Sequence, residues 1–239
     1  MEVIVLRLKP SSTNPSQSLK RKSPLQIDRA KRLWKALSLR YPDAHCALNW
    51  SQPHELLIAT ILSAQSTDVG VNKATPALFK AFPSIEAFAK CEPSDIEPFV
   101  KTLNFWRNKA KAVVESMKKI QEMHGGKVPS TMDELLQLRG VARKTANVVL
   151  GNAFDMNEGV VVDTHVGRLS QRFALTRESD PVKVEQDLMA LFPRKNWCQL
   201  SHLLIAHGRA VCKARSNSCS DDGICKEFCC EAKRKRSIR

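Results

Sequence analysis

Lys144 and Asp163 are the residues of this 239-residue chain whose surroundings best suit covalent chemistry. Lys144 follows Arg143 where helical character resumes after Gly140. An amine at a helix start, beside a second cation, lies in a positive field that disfavours its protonated form, the condition for a nucleophilic lysine. Asp163 follows the apolar run Val160 to Val162, so one carboxylate emerges from a segment of buried character. The same residue types also read as solvated charges on a helix start and as a helix cap, and both readings stand at this level. A third set is the cysteines, five of the eight lying between Cys212 and Cys230. With no secretory signal expected in the opening MEVIVLRL, that crowding points to a metal or cluster rather than to disulfides.

The element that must position Lys144 is a hairpin running STMDELLQLRGVARKTANVV from Ser130. Ser130 and Thr131 can cap a first helix whose apolar face holds Leu135, Leu136 and Leu138. Gly140 breaks the pattern and a second helix starts at Arg143, giving helix, turn, helix. Amides at the start of the second helix lack intrahelical partners and sit at the positive end of the dipole, which makes the turn through Gly140, Ala142 and Arg143 a seat for phosphate.

Around the hairpin the periodicity is helical. It predicts helices from Ile27 to Tyr41-Pro42 and over 53–64, 72–82, 85–90, 94–101, 106–124, 166–175, 182–192 and 197–212, with no strand pattern between them. The 53–64 segment is apolar on nearly all sides and belongs at the centre of a domain. Gln65 and Asp68 follow at its polar end, with Asp68 expected to cap the next helix. Phe105 sits between polar and basic residues, either as a core anchor or as an exposed wedge. His202 and His207, five apart, read as helix polar positions rather than metal ligands.

The balance of 38 Lys and Arg against 24 Asp and Glu gives a net charge of +14, which implies an acidic partner. No apolar run approaches a spanning helix, so a phosphate backbone is the better candidate than a membrane. Residues 1–25, rich in Ser, Pro, Lys and Arg, read as a disordered basic arm, and 233–239 as a basic tail.

The run LRGVARKTANVV, followed by VVVDTH, resembles the helix-hairpin-helix and catalytic loop of the endonuclease III family of DNA glycosylases. NWSQPHELLIATILSAQSTDVGVNKAT, TLNFWRNKAKAV and HLLIAHGRAVCKAR fit the same family in order, so the resemblance covers nearly all of the chain after about Ile27. Arg139 stands where the family usually has proline and Ala142 where it often has glycine; neither change removes an amide. The resemblance implies Lys144 as Schiff-base nucleophile and Asp163 as catalytic carboxylate. It implies Gln65 and Phe105 as residues that enter the duplex, and Gly140, Ala142, Arg143 and His165 as further DNA contacts. The family's cysteine pattern is C-x6-C-x2-C-x5-C, whereas this chain reads C-x6-C-x5-C-x3-C-C. A [4Fe-4S] cluster is therefore expected on Cys212, Cys219, Cys225 and Cys229, with Cys230 competing for the last place and zinc or no metal as the other options. Arg209, Lys213 and Arg215 would then lie on a cluster-fixed loop facing DNA.

The fold expected is all-α in two helical domains: 49–156 with the hairpin, and 26–48 plus 157–232 with the cluster loop. The activity implied is bifunctional: excision of oxidised pyrimidines from double-stranded DNA and cleavage of AP sites by β-elimination. A monofunctional glycosylase of the same superfamily, which typically lacks the lysine, and a non-catalytic DNA-binding module are the alternatives. A monomer is expected, at the nucleoid of a bacterial cytoplasm or in a eukaryotic nucleus.

Overall fold

The apolar residues of this chain collect into two cores, each closed by helices. A computed structural model describes residues 22–215 and 221–229; the basic tail, Cys219, Cys230 and the arm up to residue 21 lie outside them. Among the described residues there are helices and no strand, as expected for an all-α fold. The first helix, α1 (Pro24–Arg40), starts earlier than Ile27, because Ser23 and Gln26 form a reciprocal capping box and Pro24 suits the first helical position.

The first core centres on α2 (Pro53–Ser63), whose residues Leu56 to Leu62 are all buried. An all-round apolar helix needs neighbours on every side, and α2 packs against α3 (Asp68–Ala81), α6 (Trp106–His124) and α8 (Arg143–Ala153). Two short helices, α4 (Ile85–Lys90) and α5 (Pro93–Val100), cover the other side of α6. α6 buries Ala110, Val113, Val114, Met117 and Ile120, one stripe at helical spacing. Gly125 terminates it at φ +57 and returns its N–H side to the Ile120 carbonyl.

The second core gathers Ala30, Leu33 and Leu37 of α1 with α9 (Thr164–Arg172), α10 (Pro181–Leu191), α11 (Trp197–Ala210) and the short α12 (Gly223–Phe228). The chain's two ends thus meet in one core. Arg29 donates to the Phe228 carbonyl at 2.6 Å, and the Arg29 and Arg32 guanidiniums lie over the Phe228 ring at 5.5 and 5.8 Å.

Two local expectations change. The first hairpin helix, α7, spans only Met132–Leu135, capped by Thr131 rather than Ser130. Leu135 and Leu138 are buried while Leu136 is 43% exposed, so the leucines do not share a helical face and the chain turns after Leu136. Likewise Thr67, not Asp68, caps α3, its hydroxyl accepting from the Gly70 N–H at 3.1 Å.

Gly140 adopts φ +77, and a Cβ there would meet the Ala112 methyl at 3.1 Å. Gly125 shares the left-handed backbone but faces open space. Gly125→Ala is therefore expected to cost about 1 kcal/mol from backbone strain alone. Gly140→Ala should cost about 1 kcal/mol more, because α6 must also move. Equal shifts in chemical denaturation would contradict the close approach of the hairpin to α6.

Candidate active site

Ala142, with only a methyl side chain, stands at the N-cap of α8 and makes no capping bond. The first amides of α8 thus lack the side-chain acceptor that Thr67, Thr131 and Asp163 supply to their own helices. α8 is held instead by its side. Arg143 forms a forked pair with Glu185 of α10, Nε to Oε2 and Nη2 to Oε1 both at 3.0 Å, and Nη2 also reaches the Glu158 carbonyl at 3.3 Å. Asn147, one turn on, donates to the same Glu185 Oε1 at 2.9 Å. Arg143 thus turns its guanidinium toward α10, where its charge is paired with Glu185 while the side chain stays about a third exposed. The reason is helical phase: Arg143 and Asn147 share one face, while Lys144 projects about 100° round the helix.

On that other face lies a cleft of about 710 Å³ between the two cores, lined by Lys144, Asp163 and His165 together with Asp68, Asn152, His202 and Arg209. Asp163 enters it at the start of α9. Its Oδ1 accepts the Val166 N–H at 2.7 Å, while Oδ2 has no donor among the described residues. Asp163 thus caps α9 with one oxygen while the residue lines the cleft. Arg209 at the end of α11 pairs with Asp68 at the start of α3, bridging the cleft and leaving Arg209 less available to an external phosphate than expected.

Burial is the main reason the His165 pKa lies below its ordinary value; Asp163 pulls it up, and Arg168 and Arg209 push it down again. An Arg168 guanidinium N–H points to His165 Nδ1 at 3.1 Å, which leaves the ring proton on Nε2. Deeper in, burial with the charge of His45 lowers His202 to about 4, and burial raises the Cys198 thiol to about 11. Both are neutral at pH 7, so neither competes with Lys144 and Asp163 as a charged group. His202 Nε2 bonds Asn152 Oδ1 at 2.9 Å.

Gln65 and Phe105 are two exposed apices in the first core's surface, both with left-handed backbones at φ 53 and 54. Such a conformation in a residue bearing a Cβ costs about 1–3 kcal/mol and persists where the surroundings over-determine it; Asp155 and Ala174 share it. Phe105 is 61% exposed, so it is not a core anchor.

Cys212, Cys225 and Cys229 are all fully buried in the second core, beside Phe228 and Phe173. Arg172 donates to Cys212 Sγ at 3.1 Å. His207, expected as an ordinary polar helix position, is completely buried: Tyr41 Oη bonds its Nδ1 at 2.9 Å and its Nε2 lies 3.3 Å from Cys225 Sγ. Soft sulfurs already met by cationic or N–H donors fit a cluster ligated by thiolates. Cys219, the expected second ligand, is outside the described residues.

Residues 58–194 match the profile of the HhH-GPD superfamily base excision DNA repair protein. Endonuclease III of Synechocystis sp. is 50% identical over 204 residues, covering 85% of this chain and 93% of the relative. Endonuclease III of Escherichia coli K12 is 37% identical over 214 residues, covering 89% and 100%. The solved structure of a trapped endonuclease III-DNA covalent intermediate superposes with a TM-score of 0.82 at 35% identity, covering 88% of this chain and 98% of that one.

Two outcomes follow from this geometry. Glu185→Ala strands Arg143 and the Asn147 amide, and is expected to destabilise by about 2–4 kcal/mol, below a fully buried pair because Arg143 is partly exposed. A change within 0.5 kcal/mol by denaturation, roughly the level of a neutral surface substitution, would contradict the clamp. His202 has a folded pKa below its unfolded one, so the unfolded chain binds more protons between pH 6.5 and about 4, and stability falls as pH drops through that window. His202→Gln should flatten that part of the pH–stability curve, and an unchanged slope would contradict the buried neutral ring.

Proposed function

The chain belongs to the HhH-GPD superfamily of base excision DNA repair proteins, in its endonuclease III family, and from that premise we propose a bifunctional DNA glycosylase and AP lyase in which Lys144 is the nucleophile and Asp163 the catalytic carboxylate. The observation that carries the reading is the shared cleft: an amine from α8 and a carboxylate from α9 line one cavity between two cores, on the side of α8 away from its clamp. Its volume accepts an extruded nucleotide, within the range of ligand sites.

In the reaction, the bond between the sugar C1′ and the damaged base breaks with the electron pair leaving on the base. The Asp163 carboxylate stabilises the positive charge left on the sugar where it develops. Neutral Lys144 Nζ forms a bond to C1′ and gives one proton to the departing base and the other to the ring oxygen as its bond to C1′ breaks, leaving an imine. The imine acidifies the C2′ proton; its removal expels the 3′ phosphate, and hydrolysis or transfer later frees the lysine. The preferred substrates are oxidised pyrimidines in double-stranded DNA, and AP sites. The capless amides of α8 beside Gly140 and Ala142 receive a phosphate, and Gln65 and Phe105 enter the gap left by the extruded nucleotide. The +14 charge supports binding to DNA; we take the protein to act as a monomer, at the nucleoid or in the nucleus. No helix among the described residues is long and apolar enough to cross a membrane.

Cys212, Cys225 and Cys229, with Cys219, would hold a [4Fe-4S] cluster. When bound, it would supply a rigid crosslink between the end of α11 and α12 rather than a step of the elimination. A second reading has one observation behind it: donor atoms of His207, Asp222 and Cys225 lie within 4.8 Å of one another, a set that suits a single zinc ion.

Lys144→Gln is expected to abolish strand cleavage at AP sites. Asp163→Asn should bind AP-site duplex as wild type does while base excision falls about 100-fold or more. Cleavage by Lys144→Gln, or equal losses of affinity and turnover in Asp163→Asn, would contradict the assignment. Anaerobically purified protein should carry iron and sulfide, roughly four of each per chain. Zinc without either would favour the mixed site.

A further inference from the structure

The Gln65 turn and the Phe105 turn are far apart in sequence yet joined by three hydrogen bonds. Asn104 donates its side-chain amide to the Gln65 carbonyl at 2.6 Å and its backbone N–H to Ser66 Oγ at 3.3 Å. Lys109 Nζ donates to the same Ser66 Oγ at 2.8 Å. Lys109 also lies on the first turn of α6, its backbone N–H bonded to the Phe105 carbonyl at 3.1 Å. Each apex is thus gripped from the other loop, Gln65 at its carbonyl and Phe105 through the residues on both sides of it.

We propose that Asn104 and Lys109 are positioning residues that weld these two turns, so that Gln65 and Phe105 enter a duplex as one rigid two-pronged element. The inference rests on the reading of Gln65 and Phe105 as duplex-entering side chains and adds what couples them.

Lys109 makes the argument sharpest. The residue is only 6% exposed, and no carboxylate lies within ion-pairing distance of it among the described residues. Burial pushes its pKa down, a sign that the ammonium is held at a desolvation cost. A methionine would fill the same space without that cost, so packing does not account for the amine. A charged donor on the Ser66 hydroxyl does account for it, because such a bond is stronger and more directional than a neutral one. Left-handed backbones at both Gln65 and Phe105 need surroundings that over-determine them, and these bonds are those surroundings.

The test is a coupling measurement on the full-length protein. Base unstacking is read from 2-aminopurine fluorescence in a duplex carrying 2-aminopurine beside a tetrahydrofuran abasic analogue. Gln65→Ala, Phe105→Ala and the double variant are compared in wild-type, Asn104→Ala and Lys109→Met backgrounds. In the wild-type background the two losses are expected to be non-additive by about 5- to 10-fold, either change disabling both prongs. In the Asn104→Ala and Lys109→Met backgrounds the losses should become independent. Ser66→Ala, which removes the shared hydroxyl, should do the same and covers the case in which Lys109→Met unfolds. Borohydride trapping on a single-stranded AP oligonucleotide, which needs no extrusion, should stay within about twofold of wild type in the Asn104→Ala, Lys109→Met and Ser66→Ala backgrounds. Coupling that survives in the Asn104→Ala, Lys109→Met and Ser66→Ala backgrounds overturns the weld. Full unstacking by both Gln65→Ala and Phe105→Ala instead overturns the reading of the prongs themselves.

Discussion

A carboxylate buried between two helices must be matched by donors, and Glu185 is matched from one helix only. Arg143 and Asn147, one turn apart on α8, occupy both of its oxygens, and Gly159 passes so close that any Cβ would strike the Glu185 carboxylate and the Asn147 amide. This fixes α8 in rotation about its own axis as well as in place. An unpaired buried charge is costly enough that other rotations of α8 are disfavoured by several kcal/mol. Lys144 then has one direction left, into the cleft. The pair that looks like a salt bridge between cores is, in effect, the device that aims the amine.

The second wall is built by different physics. Asp163 gives one oxygen to the first turn of α9, and the residue lines the cleft. The Asp68–Arg209 pair ties the start of α3 to the end of α11 across the same space. Amine and carboxylate are therefore set by separate cores whose relative placement is pinned from both sides of the cleft. A site of this kind requires order at two interfaces rather than strain at one residue.

Much of this was legible in the sequence because it is local. The bounds of α6 follow from its apolar stripe and from Gly125, and the start of α8 follows from Gly140 and the resumption of period after it. Asp163 was readable as a cap, and its Oδ1 does cap α9. What failed was the reading of partners. Nothing near Arg143 in sequence announces Glu185, and nothing near His207 announces Tyr41 and Cys225, since those partners come from other helices. Glu185 itself was missed for the same reason. Its one local signal was an acidic residue on the α10 face that also buries Val184 and Leu188, a position where a charge needs a partner. The leucines of α7 misled for a second reason: three apolar residues at close spacing suggest a helical face, yet Leu136 points outward because the chain must turn toward Gly140.

The central claim is that the clamp on Glu185 leaves Lys144 as the amine presented to the sugar. Reducing the enzyme–AP-site DNA adduct with borohydride, digesting protein and DNA, and sequencing the modified peptide by mass spectrometry tests it directly. The account predicts the reduced sugar remnant on Lys144, in the segment that opens α8. Recovery of the remnant on Lys109, on another lysine or on the chain's amino terminus would contradict it.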